Sequence, residues 1–432
     1  MEPVTVAIIG LAALIVLLLM GVPVATTMFI ISIAGTATLV SFDASLVKLA
    51  TSTFESINSY NFAVMPLFIL MANIISNTGV GQSLYDFFNK CIGRFRGGLA
   101  MATIASCAIF AAINSSNLAT VLTIGVIAYP EMKRLNYSSR LSTGSIAAGG
   151  TLGALIPPSG IMITYGIISQ TSISKLFMAG IIPGISLALL MCISIIITCR
   201  MNPAAGPKGP VFPAKEALKA FLGCGEIVLL IVLVLGGMFY GWFTPTEAGA
   251  MGATGAIIIT LLRKKLTMSS FLKAIQGTLK NVGTIFFIIV AALFMNYFMA
   301  VSTFPVFLAN IITGLNADFR LVVLVIVLIY LVAGTFLDAM GMILLTIPIF
   351  VPIMHALGVD LVWFGIIIII CMEMSCITPP IGLNVFIAAS LDKSVAMEET
   401  FKGIFPFLIA MLVMAGLLIL FPQIALYLPS LM

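Results

Sequence analysis

Apolar residues run through this chain in near-continuous stretches of about twenty positions or more. They are broken by Gly, Pro and short polar clusters, and not by strand-like alternation or by the spacing of a one-sided helix. At 1.5 Å per residue such a run crosses the roughly 30 Å of bilayer hydrocarbon. The first run ends at Met20, and Gly21-Val22-Pro23 then divides an apolar stretch too long for one crossing into an antiparallel pair of helices. Further spans are predicted near 62–78, 97–130, 175–199, 225–242, 247–262, 283–301, 319–354 and 403–427. Half-apolar pieces near 44–58, 81–93, 267–279 and 305–315 predict helices lying flat at the interface.

Composition sharpens the class. The 432 residues are 61% apolar and 8% charged, against about 25% charged in soluble domains. The chain reads as an all-α polytopic membrane protein of roughly 10–12 spans plus partial crossings. No sizeable soluble domain fits in what remains, so an ATPase, a nucleic-acid reader or a periplasmic binding lobe would be a separate polypeptide. Met-Glu-Pro at the start, with no basic region or small-residue cleavage pattern, reads as an uncleaved span. The seven Cys show no metal or disulfide spacing. No P-loop, His-Glu-x-x-His or Gly-x-Ser-x-Gly pattern supports an enzyme.

The midpoint is punctuated. Residues 201–213 carry Pro203, Pro207, Pro210 and Pro213, which no span could hold. This divides the chain into a first repeat, 1–200, a loop, 201–224, and a second repeat, 225–432. Corresponding positions of the two halves share an unusual pattern. A run is broken by Asn114-Ser115-Ser116-Asn117, and 43 residues after Asn114 comes Pro157, in Gly153-Ala154-Leu155-Ile156-Pro157-Pro158-Ser159. A second run is broken by Gly334-Thr335-Phe336-Leu337-Asp338, and 41 residues after Asp338 comes Pro379, in Thr378-Pro379-Pro380-Ile381-Gly382-Leu383-Asn384. A continuous helix cannot pass through a Pro-Pro pair. The expected arrangement is a re-entrant hairpin over 141–169 and another over 361–390, each partnered by a broken crossing helix, 97–130 and 319–354. Irregular backbone at membrane depth is tolerated only where protein or a wet cavity surrounds it, and paired interruptions in corresponding places are the sign of an inverted-repeat secondary transporter.

The tips define the candidate chemistry. Half-helix N-termini suit a carboxylate, and half-helix C-termini and unwound carbonyls suit Na⁺. Oxygens of Asn114, Ser115, Ser116, Thr151 and Thr335, with carbonyls of Gly153, Ile156 and Pro158, could complete one or two cation shells. The alternative is that the hydroxyls bond their own helix carbonyls. Two acids lie at apparent membrane depth, Asp338 and Glu373, and either could bind a cation, carry a proton or cap a half-helix. No Lys or Arg lies within the core of any span, so an anion would be held chiefly by backbone amides, by Ser159 and Asn384, and by co-bound cations. Placing the N-terminus outside puts 79–97, 200–224, 263–282 and 391–402 inside, with most of the 20 Lys and Arg. In that scheme Lys48, Lys133, Arg134, Arg140, Lys175 and Arg320 fall outside.

These residues resemble a known family. Pro130-Glu131-Met132-Lys133-Arg134, the run Gly149–Ser159, Thr244-Pro245-Thr246-Glu247-Ala248, Phe336-Leu337-Asp338 and the run Ile377–Asn384 together look like the large membrane subunit of tripartite ATP-independent periplasmic (TRAP) transporters. The resemblance implies Na⁺-coupled, elevator-type uptake of an organic anion, a dicarboxylate or sialic acid, across a bacterial or archaeal inner membrane. It implies a separate small four-helix membrane subunit and a periplasmic binding protein as partners, and no nucleic acid. By the same resemblance sodium is carried onto Asn114, Ser115, Ser116, Gly153, Ile156 and Pro158, and onto Gly334, Thr335, Asp338, Thr378 and Pro380. The substrate is carried onto Pro157, Ser159, Thr378, Pro379, Gly382 and Asn384. A standalone ion-coupled carrier and a channel or scaffold subunit remain as alternatives.

Overall fold

In the computed structural model, which describes residues 2–76, 79–114, 116–314, 318–334, 337 and 339–432, the apolar runs are helices. An isolated bridge between Arg96 and Lys208 is the sole extended pairing among the described residues. Helices α1 (Pro3–Leu19) and α2 (Val24–Leu39) form the expected pair, divided at Gly21, whose φ of +83° suits only glycine. Helix α3 (Phe42–Ile57) meets the segment carrying α4 (Val64–Ser76) at 56°, and α5 (Val80–Ile92) follows. Around the first polar interruption lie α6 (Gly98–Asn114) and α7 (Asn117–Arg134). Around the first doubled proline lie α8 (Ser139–Gly150), α9 (Leu152–Leu155) and α10 (Gly160–Ser169), followed by the long α11 (Ile173–Met201). The second half contains α12 (Ala214–Phe239), α13 (Pro245–Leu262), α14 (Met268–Val301) and α15 (Phe304–Gly314). Next, α16 (Phe319–Ala333) and α17 (Ala339–Ala356) flank the second interruption, α18 (Leu361–Ser375) and α19 (Leu383–Ser390) flank the second doubled proline, and α20 (Met397–Leu420) and a short α21 (Gln423–Leu426) close the chain. Among the described residues six helices are individually long and apolar enough to cross a membrane.

Packing gathers the helices into two neighbourhoods that meet where α5 lies on α6 and where α14 and α15 lie on α17. Helix α14 packs against α2 and α4, α13 against α4, and α12 against α5 and α13. The second group centres on α8, which packs against α20, α6 and α7, with α11 against α20 and α6, and α18 against α16 and α17. Close approach of α8 and α20 depends on glycine. A Cβ on Gly403 would lie 2.0 Å from the Arg140 carbonyl oxygen, and one on Gly144 would lie 2.5 Å from the Gly403 oxygen. These are backbone atoms that cannot turn aside.

Helix α20 gives the measure of the two faces. At its start Glu399 pairs with Arg140, at the start of α8. Leu418, 19 residues further on and about 28 Å along the axis, accepts a 2.8 Å bond from Trp363 Nε1, at the start of α18. From the Glu399 face, α8–α9–α10 bends by only 40° at its break, and Tyr165 in α10 donates to the Leu361 carbonyl at the opposite face, 2.7 Å. The second doubled-proline segment starts there and ends at Asp392, which Lys133 (2.5 Å) and the Tyr129 hydroxyl (2.8 Å) hold at the first face. The Lys133 and Ser394 bonds keep the Asp392 carboxyl well below the usual carboxylate range.

Both doubled-proline segments therefore cross the molecule, and the polar interruptions are where the chain turns back. Helix α6 begins beside the end of α7, with the Leu99 N–H bonded to Tyr137 Oη at 3.3 Å. Helix α16 begins at Phe319, whose ring lies 6.0 Å from that of Trp363, close to the end of α17, and its Tyr330 hydroxyl bonds Thr346 across the pair. The sequence expectation of hairpins at 141–169 and 361–390 and broken crossing helices at 97–130 and 319–354 is thus reversed. A doubled proline ends a helix whether the next one continues or returns, and the local sequence looks the same in either case. The fold class itself stands: an all-α polytopic membrane protein with two re-entrant hairpins and two broken crossing helices, the hairpins opening to opposite faces.

Other boundaries move too. The loop expected over 201–224 is shorter, because Ala214-Lys215-Glu216-Ala217-Leu218 are good helix formers and start α12 directly after Pro213. The flat helix expected at 267–279 is the first part of the 34-residue α14, which contains no proline to end it. Lys133, Arg134 and Arg140 lie with Arg94, Arg96, Lys208, Lys393 and Lys402 on the first face. Ser138 N–H bonds the Ala205 carbonyl at 3.0 Å, and Gly97 N–H bonds that of Gly206 at 2.9 Å. Lys48, Lys175 and Arg320 remain on the second face.

Two outcomes follow. In a cysteine-free background, single cysteines at Ser139 and Lys208 will react with an impermeant maleimide from the same side of the membrane, and one at Lys175 from the other. Gly403→Ala will lower the thermal midpoint in detergent, with an overpacking cost of about 1–3 kcal/mol.

Candidate functional site

The two breaks and the two hairpin turns meet inside the second group of helices. At the first break α9 ends at Leu155, Pro157 and Pro158 are joined by a cis bond, and Ser159 caps α10 by accepting from the Met162 N–H at 3.4 Å. Gly153, Pro157, Pro158 and Ser159 are buried and Ile156 nearly so. Helix α11 covers this point through two glycines. A Cβ on Gly180 would lie 2.5 Å from the Leu155 oxygen, and one on Gly184 would lie 2.6 Å from Ile156. Shielding by α11 removes lipid from an interrupted backbone that hydrocarbon could not satisfy.

The second break is more open. Thr378 is half-buried, Pro379 and Pro380, also cis, are exposed, and Gly382 is buried at φ +52°. Asn384, fully buried, ties this break to α8: its Nδ2 donates to the Ala147 carbonyl at 3.2 Å, and its backbone N–H donates to Cys376 O at 3.1 Å. Its Oδ1 is buried without a hydrogen-bond partner. A buried amide oxygen left unpaired costs about 1–3 kcal/mol, and a ligand supplying a positive charge or a donor would recover it.

The first hairpin turn touches both breaks. Asn114 Oδ1 accepts from Ser76 Oγ of α4 at 3.3 Å, and Ser116 caps α7 at the Ala119 N–H. Asn117 faces the first break, where a Cβ on Gly153 would stand 2.8 Å from its Oδ1. On its other side Asn117 Nδ2 lies 2.7 Å from both carboxylate oxygens of Glu373, in α18. The second hairpin turn packs on α18 beside the second break: a Cβ on Gly334 would lie 2.1 Å from Ser375 Cβ. Of the sequence candidates, Ser115, Thr335 and Asp338 lie outside the described residues.

The hydroxyls show a mixed picture. Thr151 donates to Ala148 O at 2.7 Å and Thr378 to Met374 O at 2.6 Å, so each hydrogen serves its own helix. Their oxygen lone pairs stay available to a cation. Sequence reasoning grouped the first turn with the first break, as the structure does. It did not find the Asn117–Glu373 pair, whose partners are 256 positions apart. The available signal was an ionisable residue inside an apolar span.

Interrupted helices meeting between oppositely opening hairpins, with Asn384 Oδ1 unpaired at the junction, are the arrangement found in secondary transporters. The fold is shared with a solved structure, that of the YdaH transporter of Alcanivorax borkumensis, which superposes with a TM-score of 0.62 over 87% of this chain and 88% of that one, at 12% identity. The chain belongs to the DctM component family of tripartite ATP-independent periplasmic transporters, whose family model matches residues 11–424. It is 34% identical to the C4-dicarboxylate TRAP transporter large permease protein of Pseudomonas aeruginosa, over 93% of each chain. It is 27% identical to the sialic acid TRAP transporter large permease protein of Vibrio cholerae, over 96% of each.

Gly153→Ala will push the Asn117 amide off its place at the first break. The expected result is at least about a tenfold loss of initial uptake rate, equivalent to about 1.4 kcal/mol, with the protein still expressed and monodisperse.

Proposed function

We propose that this chain is the transport subunit of a sodium-coupled system that imports a carboxylate across the inner membrane. Supporting this is the junction of two broken helices with two hairpin turns, which gathers helix C-terminal carbonyls, side-chain oxygens and helix N-termini, enclosed at the first break and open at the second. Na⁺ suits the oxygens and a carboxylate suits the N–H groups, so each would favour the binding of the other by charge. The relatives named for C4-dicarboxylates and sialic acid favour an organic anion of this kind.

Sodium is assigned to the first junction, with Asn114, Ser115, Ser116 and the carbonyls of Gly153, Ile156 and Pro158, and to its counterpart, with Gly334, Thr335, Asp338, Thr378 and Pro380. The substrate is assigned to the helix starts and turns at Pro157, Ser159, Thr378, Pro379, Gly382 and Asn384. The group of α6–α11 with α16–α21 moves as one body against α1–α5 and α12–α15, carrying the site across the membrane in an elevator motion. The excess of basic residues supports a cytoplasmic Glu399 face and a periplasmic N-terminus. A small four-helix membrane subunit and a periplasmic binding protein complete the system, the latter delivering the anion to the Trp363 face. A standalone carrier is the second reading, and omission of the binding protein distinguishes it.

The test is uptake into proteoliposomes holding this chain with its small subunit, the binding protein outside, and an imposed sodium gradient. Uptake is expected to require both sodium and the binding protein. Ser116→Ala and Thr378→Ala will each raise the half-saturating sodium concentration several-fold. Sodium dependence unaltered in both variants would remove the cation assignment, and uptake with no binding protein present would select the standalone carrier.

A further inference from the structure

We infer that Glu373 is a positioning residue: a carboxylate in the second half of the chain that orients the Asn117 amide in the first half, so that Asn117 Oδ1 is presented to the first break as a cation ligand. The inference rests on the sodium-coupled function proposed above and adds two residues to it.

The geometry is specific. Glu373 is 1% exposed, and among the described residues it forms no ion pair. Both its oxygens lie 2.7 Å from Asn117 Nδ2. The amide thus offers its nitrogen to the carboxyl group, and its oxygen is turned to the other side. That side is the first break: Asn117 Oδ1 lies 2.8 Å from the position of a Gly153 Cβ, and the Asn117 backbone N–H lies 3.6 Å from it. Without the carboxylate the two orientations of the amide would be close in energy, and half the time a cation approaching the end of α9 would meet an NH₂ group.

The pair also joins the halves. Asn117 opens α7 at the turn of the first hairpin, and Glu373 lies in the last turn of α18, five residues before Thr378. Ordering of Asn117 by a cation at the first break therefore steadies the end of α18, and with it the second break where the substrate is assigned.

Exchange of the two groups separates orientation from mere packing. Asn117→Asp removes the donor and opposes two carboxyl groups, and Glu373→Gln replaces one of the two accepting oxygens by a donor, which no longer selects the amide orientation. The double variant Asn117→Asp/Glu373→Gln restores one amide facing one carboxylate and still leaves an oxygen toward Gly153. In proteoliposomes with the small subunit and binding protein, each single variant is expected to raise the half-saturating sodium concentration by about tenfold, the size of one charge-assisted hydrogen bond. The double variant should return to within about threefold of the parent. Thermal midpoints in detergent, in sodium against potassium, give a second measurement free of uptake. The stabilisation specific to sodium should shrink in both singles and reappear in the double, while the midpoints in potassium change together. The inference is overturned if the double is no better than the poorer single, or if both singles keep the parental sodium dependence. If the parent itself shows no sodium dependence in uptake or melting, the proposed function fails first, and the exchange is then scored on the half-saturating concentration of the cation that does drive uptake.

Discussion

A backbone interrupted inside hydrocarbon has to find partners in the protein, and this chain interrupts four membrane segments. Each orphaned N–H or C=O facing lipid would cost several kcal/mol. The interruptions are consequently drawn together, where they shield one another. The rest of the packing follows from that demand. Gly180 and Gly184 let α11 close over the end of α9, Gly153 lets the first hairpin turn lie against the first break, and Gly334 lets the second turn lie on Ser375. At all four positions a single methyl group would meet a neighbour closer than van der Waals contact.

The same demand explains why the site carries little formal charge. Among the described residues Glu373 is the buried ionisable group at the junction, and it is met by an amide, not by Lys or Arg. Charge in a region without water is costly unless paired. The two breaks differ in exposure. Pro157 and Pro158 are enclosed, whereas Pro379, Pro380 and Ile381 are exposed.

Opposite opening of the two hairpins makes the halves inverted relatives of one another, and it also settles the charge map. With the first hairpin opening toward Glu399, Lys133, Arg134 and Arg140 join the basic face, and the conflict they present to a simple count of loops disappears. The ionic and hydroxyl contacts of Asp392 with Lys133 and Tyr129 then fasten the end of α19 to the end of α7, closing the basic face of the second helix group.

The sequence by itself determined the all-helical membrane class, the two halves and the four interruptions, because apolar run length and the missing N–H of proline are local properties that no context removes. Asn114, Ser116, Gly153, Ser159 and Asn384 could be singled out on the same ground. The direction of the chain after each interruption was decided only by tertiary structure. A doubled proline and a capped Asn-Ser-Ser-Asn turn both end a helix, and whether the next helix continues or returns depends on which surface is there to receive it. Here α20 and α11 receive the continuing segments, and α8 and α18 receive the returning ones. The pairing of Asn117 with Glu373 belongs to the same category, since contact between residues so far apart along the chain exists only once both halves are folded against each other.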